Sequence, residues 1–239
     1  MSFKSKIDFC GLADGTNILL KSHDEGRANS SVTCENDEGD TIDATVFGHV
    51  MDPSNEYALK GDLTNLSIVL GSVNTVSVNG TNKYFMLKSV SIETSNSGEV
   101  TISASSEEVP SATPARTYTV VIPSLRQRNK AQILNSLFSI TGQNVHLQSA
   151  SYTFEVESTI TTVDGERVTW DCYGGKVTAS LEVKEASGTM PTIEGGDSTT
   201  YVTILSGEPT ETRPDSDYAT VSAEVTRYLT ADAPTQNNG

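Results

Sequence analysis

The chain has 239 residues, of which 31 are acidic and 16 basic, giving a formal net charge of −15, with 36% hydrophobic and 20% charged residues. That content suits a globular chain with room for one large β domain or two small ones, and argues against intrinsic disorder. So acidic a surface repels nucleic-acid phosphates and anionic membranes, which argues against sequence-specific DNA binding.

The first ten residues, Met1 to Cys10, mix charges and hold no apolar core segment, and no apolar run reaches the length of a bilayer. The expectation is a protein made and folded in a cytoplasm. Cys10, Cys34 and Cys172 are odd in number and widely spaced, with no CxxC pair. They are expected to be reduced, buried thiols. The polar stretch Lys21 to Ser31, including His23-Asp24-Glu25, reads as a solvated loop.

From Ser31 the pattern turns to strands. Ser31-Val-Thr-Cys34 and Ile42 to Val50 flank an acidic segment, Glu35 to Asp40. Its Gly39 falls too early for a calcium loop, so a hairpin turn is expected there. Leu66, Ile68 and Leu70 form one apolar face. Asn79-Gly80 has the chemistry of a type I′ turn, because both residues tolerate positive φ. Val90 and Ile92 are separated from Val100 and Ile102 by Ser95-Asn-Ser-Gly98, a second hairpin signal. Pro110-Ser-Ala-Thr-Pro114 reads as a loop or a linker. Val120 and Ile122 give another strand.

One segment departs from period two. Over about 125–138, Ile133, Leu134, Leu137 and Phe138 share one helical face, with Pro123-Ser124 as a start and Gly142 beyond the end. A single flanking α-helix packed on a sheet is expected there. Strand alternation then resumes at Tyr152, Phe154 and Val156, and Asp164-Gly165 marks another tight turn. Trp170 is expected to pack across strands. Gly174-Gly175 reads as a break before Val177, Ala179, Leu181 and Val183. The region 185–217 reads as a long loop or arm around a short strand at Tyr201 to Leu205. Val221, Ala223 and Val225 close the series, and 232–239 reads as a flexible tail.

These elements describe a mainly β, antiparallel sandwich or barrel with one helix, spanning 1–231 as a single domain. An echo runs through it: Ser31 to Val50 and Ser158 to Val177 both read strand, acidic Gly turn, strand, aromatic-Gly, strand. Internal duplication, with halves of about 1–115 and 116–231, and chance likeness between hairpins both stay open. No catalytic constellation, metal-ligand spacing, phosphate loop or cofactor motif occurs around His23, His49 or His146. The expectation is a non-enzyme without cofactor or metal. Glu155, Glu157 and Glu182 alternate with buried positions and are candidate lumen or surface acidic residues.

Tyr84-Phe-Met-Leu-Lys-Ser-Val-Ser-Ile-Glu-Thr-Ser-Asn96 carries a resemblance to bacteriophage tail tube proteins, and to the related tube proteins of contractile injection systems. So do the run from Leu147 to Leu181 and the single helix between hairpins. The resemblance implies a tail-tube-like fold, hexameric rings stacked into a tube, contact with other tail proteins, and DNA as a repelled, transiting cargo. It implies a virion location, in the tail, after synthesis in the bacterial host cytoplasm, with no membrane partner. A tail hub, baseplate or capsid decoration protein is the alternative. A cell-surface adhesin or carbohydrate-binding module is a further one.

Overall fold

The computed structural model describes residues 6–35, 41–95, 100–113, 116–125, 140–141, 145–163, 166–185, 192–193, 196–197, 202–205, 210–212 and 219–232. The strands in the first half are β1 (Ile18–Asp24), β2 (Arg27–Glu35), β3 (Thr41–Met51), β4 (Ser54–Leu59), β5 (Leu63–Leu70), β6 (Val73–Val78), β7 (Thr81–Ser95) and β8 (Thr101–Val109). They are followed by β9 (Tyr118–Leu125), β10 (Ile140–Thr141), β11 (Val145–Val163), β12 (Glu166–Glu185) and β13 (Thr192–Ile193). The last are β14 (Gly196–Asp197), β15 (Val202–Leu205), β16 (Thr210–Thr212) and β17 (Thr220–Tyr228). The described residues are mainly β, paired antiparallel, and contain no helix.

One large sheet runs β1-β4-β8-β7-β11-β12-β17-β15-β14, with β6 joined to β7 and β16 to β17. β2–β3, β5–β9 and β10–β13 form separate two-stranded ladders. The period-two sequences explain the large sheet. Tyr152, Phe154 and Val156 on β11, Val177, Ala179, Leu181 and Val183 on β12, and Val90 and Ile92 on β7 all point to one side and are buried. Ile68 and Leu70 of β5, with Tyr118, Val120 and Ile122 of β9, belong to the same apolar cluster. The β5–β9 ladder therefore lies over one face of the sheet, and one cluster takes residues from Cys10 to Val225.

The segment before β1 is tied down by side chains. Asn55 Nδ2 donates to the Ile7 carbonyl at 2.9 Å and Asn74 Nδ2 to the Asp8 carbonyl at 2.8 Å. The Asp8 carboxylate accepts from the Gly11 and Ala13 amides and from the Tyr57 hydroxyl. Phe9 is fully buried against Met51, Val78 and Phe85, a second, smaller apolar cluster.

The hairpin signals at Asn79-Gly80, 95–98 and 164–165 each fall between strands that pair. Asn79 and Gly80 have φ of 51° and 81°, and Val78 pairs with Thr81. Val163 pairs with Glu166 across a two-residue connection. Three local expectations are corrected. The polar stretch 21–31 is not a loop: β1 runs to Asp24 and β2 starts at Arg27. Its polar side chains find cross-strand partners, Lys21 Nζ lying 2.6 Å and Ser22 Oγ 3.1 Å from the Glu56 carboxylate. Gly174-Gly175 does not end a strand, because β12 is continuous from Glu166 to Glu185. The two glycines form a bulge opposite Val156, between the pairs Glu155–Lys176 and Glu157–Tyr173; Gly174 has φ 65°, and Gly175 lies directly against the Tyr118 ring.

The third correction concerns the start of the helix. Pro123, Ser124 and Leu125 lie in β9, with Ser124 paired to Thr64 and Leu125 to Leu63. Pro123 has no N–H to give, and the ladder skips it together with Asn65, whose φ is 55°. The rest of the expected helix, with Ile133, Leu134, Leu137 and Phe138, lies outside the described residues. So do the Glu35–Asp40 turn, apart from Glu35, and the tail after Asp232.

Candidate functional site

The side of the large sheet away from β5–β9 carries the outward half of every alternation. The strand registers set these residues in rungs. One rung places Thr101, Glu93, Ser151, Ser180 and Glu224 side by side on β8, β7, β11, β12 and β17. The next places Ser22, Glu56, Ser103, Ser91, Thr153, Thr178 and Thr226 across seven strands. A third aligns Ser54, Ser105, Ser89, Glu155, Lys176 and Tyr228. Beyond the first, Ser149 stands beside Glu182 and Ser222.

Short hydroxyls therefore tile this face from β8 to β17, while the first rung continues onto Ala58 of β4 and the exposed Leu19 of β1, which are apolar. Their polar atoms meet across strands: Ser89 Oγ and Ser105 Oγ are 2.7 Å apart, and Thr178 Oγ1 and Thr226 Oγ1 are 3.4 Å apart. A groove of about 700 Å³ lies along the rungs that hold Glu93, Ser151, Ser180 and Glu224, and Ser149, Glu182 and Ser222. Thr210 of β16 also lines it.

The three acidic residues singled out from the sequence all fall on this face. Glu155 and Glu157 alternate with buried Phe154 and Val156, and Glu182 stands between buried Leu181 and Val183. Their surroundings differ. Glu155 is paired with Lys176 at 3.0 Å, and the hydrogen bond to Glu155 raises the Lys176 pKa. Glu56 is likewise held below the usual carboxylate range, first by its hydrogen bond from Lys21 and then by that from Ser22. Glu93, Glu157, Glu182 and Glu224 form no ion pair among the described residues. Three of the residues that line the groove, Glu93, Glu182 and Glu224, are thus carboxylates outside the ion pairs of the described residues.

Glu93, Glu224 and the hydroxyl rows were not singled out from sequence. The signal was present in the other half of each alternation: Ser89-x-Ser91-x-Glu93, Thr101-x-Ser103-x-Ser105, Thr178-x-Ser180-x-Glu182 and Ser222-x-Glu224-x-Thr226.

Other candidate groups are accounted for by packing. Cys10 and Cys172 are free and buried. Burial pushes both thiols up to about 11, Cys10 beside Ser106 Oγ at 2.8 Å and Cys172 against the Arg116 carbonyl at 3.1 Å. Thiols so protonated are poor nucleophiles. Trp170 is buried opposite Ile160, and its Nε1–H donates to Ser111 Oγ at 3.2 Å. His23 Nδ1 accepts from the Ile7 amide at 3.4 Å, and its ring packs near Phe9. Among the described residues no group of His, Cys, Asp or Glu is arranged to hold a metal ion.

No protein-family model matches the chain, and no curated protein matches its sequence. Chemically, then, the described part of the site is a broad, polar, acidic surface.

Proposed function

We propose that the protein is a structural virion subunit that assembles with copies of itself into rings, which stack as a phage tail tube conducting DNA. The observation that carries this reading is the hydroxyl and carboxylate face that crosses the large sheet without an apolar cover. A sheet also leaves unpaired N–H and C=O groups along its outer strands, and pairing them between copies removes that liability. Closing such a sheet into a cylinder turns one face inward. The opposite face is occupied by β5–β9, so the hydroxyl face is the one that would line the bore. Glu93, Glu157, Glu182 and Glu224 there would repel DNA phosphates, and serine and threonine hydroxyls offer no charge to grip them.

On this reading the subunit is not an enzyme, needs no cofactor, meets other tail proteins, and leaves the host cytoplasm in the virion tail. Hexameric rings are the arrangement the sequence resemblance suggests, and a hub, baseplate or decoration role would use the same edges. A second reading has one observation in its favour: Tyr173 and Tyr228 are exposed, and exposed aromatic rings on a polar sheet suit stacking on sugars in a carbohydrate-binding module.

Charge reversal separates the two. Particles carrying Glu182→Lys with Glu224→Lys should assemble normally but release DNA more slowly, and high salt should relieve the delay. Normal release from normally assembled particles would rule out this face as the bore. Glycan binding by the purified chain, lost in Tyr173→Ala with Tyr228→Ala, would favour the second reading.

A further inference from the structure

Arg167 stands near the turn of the β11–β12 hairpin, with its side chain only 17% exposed. Its Nη1 donates to the Glu108 carbonyl oxygen, and its Nη2 lies 3.6 Å from Glu107 Oε1 and 4.0 Å from Asp52 Oδ1. Glu107 also accepts from Ser158 Oγ at 2.6 Å and pairs with Lys88 at 3.2 Å. The Glu108 carboxylate pairs with Lys83 at 2.7 Å and accepts the Met51 amide at 3.0 Å. Three cations and three anions balance here, in a chain with 15 more acidic than basic residues.

The groups come from three places. Ser158 and Arg167 belong to the turn end of β11–β12, and Lys83, Lys88, Glu107 and Glu108 to β7–β8. Met51 and Asp52 belong to the root of the β2–β3 ladder, where Arg27 pairs with Met51. That root is tight: the Asp52 amide donates to the Gly26 carbonyl at 3.1 Å, and a Cβ on Gly26 would lie 2.0 Å from the Asp52 oxygen. A two-stranded ladder has little stability of its own, so its direction is set where it joins the body. Arg167, Glu107, Glu108 and Lys83 are mostly buried, while Asp52 and Lys88 lie at the exposed rim, so removing Arg167 leaves buried carboxylate charge short of a partner.

We propose that Arg167 is the positioning residue of the β2–β3 ladder. It ties the turn end of β11–β12 to the ladder's root through Glu107, Glu108 and Asp52, so that the two long hairpins move as one body. This concerns the single chain and stands whether or not the chain forms rings.

Hydrogen exchange of the full chain tests it, comparing the wild type with Arg167→Met. Amides of 27–35 and 41–51 should exchange about tenfold faster, together with those of 158–170, while 177–183 and 220–225 keep their rates. Faster exchange confined to 158–170, with the ladder unchanged, would overturn the proposal. If Arg167→Met does not fold, Glu107→Gln keeps an acceptor for Ser158 but weakens the Arg167 pair. It should give the same two-region pattern at smaller amplitude, and an unchanged ladder would again count against the proposal.

Discussion

At the scale of single residues, two features decide how the chain tolerates change. Gly175 sits where a Cβ would come within 2.4 Å of the Tyr118 ring, and Tyr118 is itself buried in the main cluster. Neither side can give way cheaply. Gly175→Ala should destabilise the protein by about 1–3 kcal/mol, as overpacking does, read as a lower urea midpoint. The second feature is the pair of buried thiols. Burial raises both to about 11 from 9.0, so the folded state holds their protons more tightly than the unfolded chain does. Their stabilising contribution is complete below about pH 9 and is lost as pH rises through about 11, on the order of 2 kcal/mol per thiol. Urea midpoints at pH 8 and 10.5 should differ in the wild type, and differ less when Cys10 and Cys172 are both replaced by Ala. An equal fall in both proteins would show that other groups control alkaline stability.

At the scale of elements, legibility followed local chemistry. Asn79-Gly80 was readable because its turn type demands positive φ, and the structure gives both residues that conformation. Replacing Gly80 with Val should cost about 1–2 kcal/mol, the price of a left-handed backbone with a side chain, and should free the β6 and turn-end β7 amides to exchange. Retained protection there would mean that the turn does not hold the hairpin. Strands with one buried face, such as Val177 to Val183, were equally plain. β1 was not, because its polar side chains meet Glu56 from a strand more than thirty residues away, and no window of sequence contains that pairing. The Gly174-Gly175 bulge looked like a break for the same reason: β12 stays continuous because it pairs with β11, a distant stretch of sequence, on both sides of the bulge. Pro123-Ser124 looked like a helix start, but both residues lie in β9, where Ser124 pairs with Thr64 of β5 and the ladder steps over Pro123. The acidic candidates Glu155, Glu157 and Glu182 were found by alternation. Glu93, Glu224 and the Arg167 node became visible only once strand order and register were known.

At the scale of the whole molecule, the large sheet divides the chemistry. One face is apolar and covered by β5–β9, and the other is hydroxyl-rich, acidic and grooved. The two-stranded β2–β3 ladder is held at its root by Met51, Gly26 and the charged node. Self-assembly through sheet edges, with the hydroxyl face turned to a central bore, brings these features under one account. Cryo-electron microscopy of the purified full chain over a concentration series tests that account most directly. The predicted result is rings or tubes with an axial channel, lined by the rungs that hold Glu93, Glu182 and Glu224. A chain that stays monomeric at every concentration, with and without tail partners able to nucleate it, or one that assembles with that face outward, would contradict it.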